Sequence, residues 1–154
     1  MIVRVVVGVV LTAALFAVAA PMLTTGGADA ADSTVDRQLT ALRDRLTAMV
    51  ATNDPTVGAG ARHVTELRLP GRTLTSAGVS RLRLYGRDGV GVASWRVGGG
   101  HTGRARLADV PIRAPDGGTL TLTEPDTHRL VFALRVRSNR TALTVYRLGG
   151  GRDA

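Results

Sequence analysis

Residues Val5 to Leu23 read VVVGVVLTAALFAVAAPML, nineteen residues without a charge and with Thr12 as the one polar interruption. As a helix rising ~1.5 Å per residue the run covers about 28 Å, close to the hydrocarbon thickness of a bilayer. Arg4 and the amino terminus precede it, and the first charges after it are Asp29 and Asp32. Positive-inside logic therefore leaves residues 24 to 154 outside the cytoplasm. Residues 1–23 are expected to form a single-pass transmembrane anchor or signal segment, placing the protein at the cell membrane.

A cleaved secretory signal is the competing reading, because a short basic start followed by an apolar middle and small residues also suits a signal peptidase. Cleavage after Ala20 follows Val18-Ala19-Ala20 but leaves Pro21 as the next residue; cleavage after Ala30 follows Ala28-Asp29-Ala30 and fits the small-x-small pattern better. The run is longer than the ~7 to 15 residues of a usual signal core, which favours retention. A pilin-type leader cut near Gly8 lacks the usual acidic residue shortly afterwards.

Downstream, Thr24 to Asp32 is small and polar with the pair Gly26-Gly27, and reads as a flexible neck that interrupts the helix. A second helix is expected over residues 33–54, starting at Ser33 or Thr34 with Asp36 in the position of a capping box. Val35, Leu39, Leu42, Leu46 and Met49 recur at steps of four and three, so they share one face. Asn53-Asp54-Pro55 stops the helix, since a residue before proline is pushed out of helical geometry. The stripe suits packing on a following sheet; with fewer than three heptads, a coiled-coil seam with another subunit is the weaker alternative.

From Ala59 the period switches to two. Leu67 and Leu69 flank Arg68, Leu82 and Leu84 alternate with Arg81 and Arg83, and Val90 and Val92 open a run ending in Trp95-Arg96-Val97. Gly86-Arg87-Asp88-Gly89 suits a tight hairpin. A weaker strand is expected from Ala105 to Arg113, with Pro111 marking an edge or bulge. Leu120 and Leu122 alternate with threonines, Leu130, Phe132, Leu134 and Val136 oppose Arg135 and Arg137, and Leu143 and Val145 alternate with Thr144 and Tyr146. Residues 59–148 are thus expected as an antiparallel β domain of about seven short strands, and 149–154 as a disordered tail. The fold class is α+β, with a transmembrane helix, an amphipathic helix and then the β domain, which is α+β or small and sandwich-like.

All 20 basic residues are Arg, against 12 acids, and residues 56–154 hold 16 Arg against 7 acids. The chain has no cysteine, which excludes disulfides. His63, His101 and His128 stand far apart without the short spacing of a metal site and read as surface or turn residues. Asp109, Asp116, Glu124 and Asp126 lie in or near turns, where carboxylates support local backbone bonds. Gly98-Gly99-Gly100 lacks the Lys-Ser/Thr of a phosphate loop. No catalytic residue, metal ligand or cofactor is assigned, and the expectation is a non-enzymatic protein. Trp95 shares parity with Ala93 and Val97 and reads as core.

Arg68, Arg81, Arg83, Arg135 and Arg137 remain as a possible basic partner-binding face for an acidic surface, provided that their strands are neighbours. A solvated outer face explains the same alternation. A basic patch of this kind could meet acidic glycan, lipid headgroups, DNA or an acidic subunit, but few aromatics make a stacking platform for single strands unlikely, and nucleic acid is not the expected partner.

Met1-Ile2-Val3-Arg4 before the apolar run, Arg68-Leu69-Pro70 with Ala77-Gly78-Val79, Trp95-Arg96-Val97, Arg113-Ala114-Pro115-Asp116-Gly117, Glu124-Pro125 and His128-Arg129-Leu130 carry a resemblance. Along nearly its whole length the chain resembles an uncharacterised haloarchaeal family of small membrane-anchored proteins encoded beside archaeal type IV pilus assembly genes. The resemblance implies a structural or accessory subunit of a cell-surface, pilin-like assembly, with pilus-like subunits as partners; it brings no activity or site residue. An anchored extracytoplasmic binding module using the Arg face is the alternative.

Overall fold

Ser33 and Thr34, expected to open a new helix, sit in the middle of one. The computed structural model describes residues 2–52, 61–73, 75–137 and 140–149, the side chains of 2–25 and of Arg137 excepted. A single helix, α1, runs over Ile2–Thr52. The Ser33 and Thr34 hydroxyls donate back to the Ala30 carbonyl, at 3.2 and 2.8 Å, as hydroxyls do in a helix interior rather than at a cap. Two separate helices and a neck are therefore corrected to one helix, and residues 24–32 are helical.

Of the two glycines expected to break it, Gly27 serves a close approach instead. Gly27 is buried, its carbonyl accepts the Ala77 N–H at 3.0 Å, and a Cβ there would stand 3.3 Å from the Ala77 nitrogen. The loop after the first strand thus lies directly on the helix backbone. The apolar run Val5–Leu23 lies outside the residues whose side chains are described. Among the described residues, no helix is long and apolar enough to cross a membrane.

Among the described residues eight strands follow: β1 Arg62–Arg68, β2 Val79–Arg87, β3 Val90–Val97, β4 Thr102–Ala108, β5 Ile112–Arg113, β6 Leu120–Leu122, β7 Thr127–Arg137 and β8 Arg140–Arg147. They form two four-stranded sheets, β1-β7-β8-β5 and β4-β3-β2-β6, so the α+β class holds, with eight strands where about seven were expected. One pairing is parallel, β5 with β8. The strand expected from Ala105 to Arg113 is divided between the two sheets. After β4 the chain leaves its ladder, and Pro111, which has no N–H to donate, stands immediately before β5 and accepts from Leu143 through its carbonyl at 2.9 Å.

The hairpin between β2 and β3 turns on Asp88 (φ 51°) and Gly89 (φ 80°), two consecutive left-handed residues as a two-residue type I′ loop requires. The turns expected at Ser138-Asn139 and the tail residues 150–154 lie outside the described residues.

The inner faces of the sheets share one core: Leu82, Leu84, Ala93, Trp95, Val97 and Leu122 from one, Leu67, Leu130, Phe132, Leu134, Leu143 and Val145 from the other. The α1 stripe of Val35, Leu39, Leu42, Leu46 and Met49 joins it, as the periodicity implies. Each such leucine contributes about 1.5–3 kcal/mol by leaving water. The helix packs along β4 and β1, an edge strand of each sheet, and so closes one side of the sandwich.

Candidate functional site

The sheet pairings decide which arginines stand together. β3 lies between β4 and β2, and three cross-strand rows alternate with the core-facing ones: Thr102–Arg96–Arg81, Arg104–Ser94–Arg83–Thr121, and Arg106–Val92–Tyr85. Trp95, Leu82, Ala93 and Leu84 occupy the opposite parity and are buried, so these rows form the outer face of this sheet. Arg81, Arg83, Arg96, Arg104 and Arg106 are all exposed. With strands ~4.8 Å apart and alternate residues ~6.8 Å apart, five guanidinium stems rise from a patch roughly 15 Å on a side.

Little on the chain neutralises this face. Arg106 pairs with Asp109 at 2.8 Å, with both side chains largely in water, a geometry that contributes at most about 1 kcal/mol. Arg81, Arg83, Arg96 and Arg104 have no carboxylate within 4.0 Å among the described residues. The Arg83 guanidinium stands 5.9 Å from the centre of the Tyr85 ring, which steadies it by cation–π attraction. Ser94 lies between Arg104 and Arg83, and Thr102 and Thr121 stand at the row ends beside Arg96 and Arg83.

The five-residue face expected from sequence is therefore split. Arg81 and Arg83 come together as expected, whereas Arg68 and Arg135 belong to the other sheet, in β1 and β7. Arg68 ends β1, and Arg135 stands opposite Ala142 on the outer side of β7. Arg137 occupies the register position opposite Arg140, and its side chain lies outside the described residues. Arg96, Arg104 and Arg106 were missed. Their signal was present in the alternation of Trp95-Arg96-Val97 and Arg104-Ala105-Arg106-Leu107, but only the β2–β3–β4 pairing puts it beside Arg81 and Arg83.

A polar cluster joins helix and sheet elsewhere. The Trp95 Nε1–H donates to Asp32 Oδ1 at 2.6 Å, and His101 Nε2 lies 3.6 Å from Asp32 Oδ2. The tryptophan is 6% exposed, in agreement with its reading as core, and its indole lies on Gly103, where a Cβ would fall 2.2 Å from the ring. This cluster ties α1 to the sheet.

The reading of His128 as a surface or turn residue is corrected. It is 1% exposed, its Nε2 lies 2.9 Å from the Glu124 carbonyl, and its Nδ1 is buried without a partner. His63 also turns inward, opposite Phe132, with Nε2 buried and unpartnered. Among the described residues no three His, Asp or Glu side chains gather in a way that could hold a metal ion. The turn carboxylates do local work: Asp116 Oδ1 accepts the Gly118 N–H at 2.8 Å, Asp126 Oδ1 accepts the Thr127 N–H at 2.6 Å, and Glu124 meets Arg147 at 3.2 Å.

Residues 2–148 match the model of a family described as a domain of unknown function, DUF7311. The chain belongs to that family. The match covers the helix and all eight strands, so α1 and the β sandwich are one DUF7311 unit. No curated protein and no solved structure matches the chain.

Proposed function

We propose that this DUF7311 protein is a non-enzymatic structural or accessory subunit of a cell-surface, type IV pilus-like assembly, held in the membrane by the N-terminal part of α1 with its β domain outside the cytoplasm. The observation that carries the reading is the continuity of α1. One helix bears the apolar run Val5–Leu23 and also supplies Ala31 to Met49 to the core. At ~1.5 Å per residue its 51 residues rise about 76 Å, and among the described residues its buried core positions, Ala31 to Met49, lie in the C-terminal half. An apolar run of this length in a helix suits a bilayer and, side by side with copies of itself, the apolar centre of a helical bundle. The resemblance to a family encoded beside archaeal pilus assembly genes points the same way.

Because the chain has no natural cysteine, Val9→Cys introduces a single thiol into the run. In native membranes the full-length chain should resist alkaline extraction and give multimers with a bis-maleimide. A soluble chain beginning at Ala31, or monomer alone, would overturn the proposal.

A second reading, an anchored extracytoplasmic binding module, is favoured by one observation: five exposed arginines on one sheet face, four of them without an acidic neighbour. Pull-down of an acidic partner by a chain that stays monomeric in the Val9→Cys experiment would select it.

A further inference from the structure

The outer face of β4-β3-β2 faces sideways from α1. Gln38 meets the backbone of Arg68, and Arg45 Nη1 donates to Thr65 Oγ1 at 3.2 Å. Seven helix residues rise ~10.5 Å while three strand residues rise ~10 Å. Helix and β1 therefore run side by side in opposite senses, and α1 packs along β4 as well. The arginine rows point away from the core, across the helix axis. A chain standing on a membrane by α1 would turn this face towards its lateral neighbour and not down onto lipid headgroups.

The same chain carries a complementary surface. Asp29, Ser33, Asp36, Thr40 and Asp44 are spaced to fall on the side of α1 opposite the core stripe. Asp29, Asp36 and Asp44 are exposed, and none has a cation within 4.0 Å among the described residues. Arg37 and Arg43 lie at the borders of the stripe. Asp29 and Asp36 are about 10 Å apart along the axis, and Asp36 and Asp44 about 12 Å. That spacing spans the two to three arginine rows of the sheet. From Gly26 to Asp36 the helix has three acids and no base, Asp32 among them being held by Trp95 and His101, and further on Asp44 is joined by Arg37, Arg43 and Arg45, whereas the outer sheet rows hold five arginines and no acid.

From this we propose that the Arg81–Arg83–Arg96–Arg104 face of one copy docks the Asp29–Asp36–Asp44 side of α1 in a second copy. The inference rests on the assembly reading above and names its lateral contact. Engaged head to tail, the two surfaces give a ring or an open helical filament, whereas a reciprocal two-fold pair would give dimer alone on oxidation of a chain carrying a cysteine on each surface. Opposed charge steers and registers such a contact more than it strengthens it.

Cysteines at Ser94, in the middle arginine row, and at Thr40, on the acidic side of α1, test the contact in the full chain in native membranes. Mild oxidation of Ser94→Cys/Thr40→Cys should give a ladder of multimers, while a mixture of the two single variants should give only the mixed dimer. Asp29→Arg/Asp36→Arg should abolish the ladder, and adding Arg81→Glu/Arg83→Glu to the same chain should restore it; unchanged melting of each variant shows that folding is intact. Loss without restoration, or Ser94→Cys linking to itself, refutes the contact. Val9→Cys multimers persisting while the Ser94–Thr40 pair stays unlinked refutes the contact and leaves the assembly reading standing. Failure of both removes the assembly reading and this inference with it.

Discussion

Gly103 and Trp95 show how one position can hold a helix on a sheet. The indole occupies the space in which any side chain at residue 103 would stand, and from there its N–H reaches Asp32. Gly103→Ala puts a carbon inside the ring's van der Waals radius, and the displaced indole loses both its packing and its hydrogen bond. We expect a loss of about 3 kcal/mol in urea unfolding of the full chain in mild detergent, since overpacking a filled core costs ~1–3 kcal/mol and a lost bond adds to it. Trp95→Phe keeps most of the volume and removes only the donor, so it should cost about 1.5 kcal/mol. Equal stability of Trp95→Phe and the native chain would show that the Asp32 bond contributes nothing net. Trp95 as core is legible from its parity with Ala93 and Val97; its partner is not, because the two residues are 63 positions apart.

At the scale of the element, α1 is both a core component and the cover of an edge. Gln38 Oε1 accepts the Arg68 N–H at 2.8 Å and its Nε2 donates to the Arg68 carbonyl at 2.9 Å, so one side-chain amide takes the place of a strand partner at the end of β1. Unpaired edge groups of this kind are what another chain would otherwise pair with. Gln38→Ala should destabilise the chain by about 2 kcal/mol, two ordinary hydrogen bonds, and should speed hydrogen exchange at the Arg68 amide. Slow exchange at Arg68 in that variant would mean that water or another group satisfies the edge equally well. Leu42→Asp places an unpaired charge in the core and should cost several kcal/mol. A melting curve that did not move would put the stripe outside the core. The stripe was readable because a 3.6-residue period leaves its mark within fifteen residues. The continuity of the helix was not, because Ser33, Thr34 and Gly27 have the same local chemistry at a helix boundary as in an interior where a loop packs closely.

For the whole molecule, the proposed contact between copies is electrostatic and should respond to salt. Attraction between exposed charges is screened beyond ~10 Å at 0.1 M and beyond ~3 Å at 1 M. The Ser94–Thr40 cross-link should therefore decline steeply over that range, while the Val9→Cys multimers, formed through an apolar run, should not. A Ser94–Thr40 yield indifferent to salt would argue against charge as the force that brings the two faces together.

Local pattern in the chain was enough to determine the α+β class, the buried stripe Val35 to Met49, the β2–β3 hairpin at Asp88-Gly89 and the inward parity of most strands. Each of these depends on neighbours within a few residues, through helical or pleated periodicity and through the positive φ that Asp and Gly tolerate. Strand order was decided only in three dimensions. Period two tells which residues share a face of one strand but not which strands lie side by side, and so Arg68 and Arg135 separated from Arg81 and Arg83 while Arg96, Arg104 and Arg106 joined them. The burial of His128 was settled in the same way, because a polar residue of inward parity goes into the core when its neighbours, here Leu67 across the ladder and the Glu124 carbonyl, leave it no path to water.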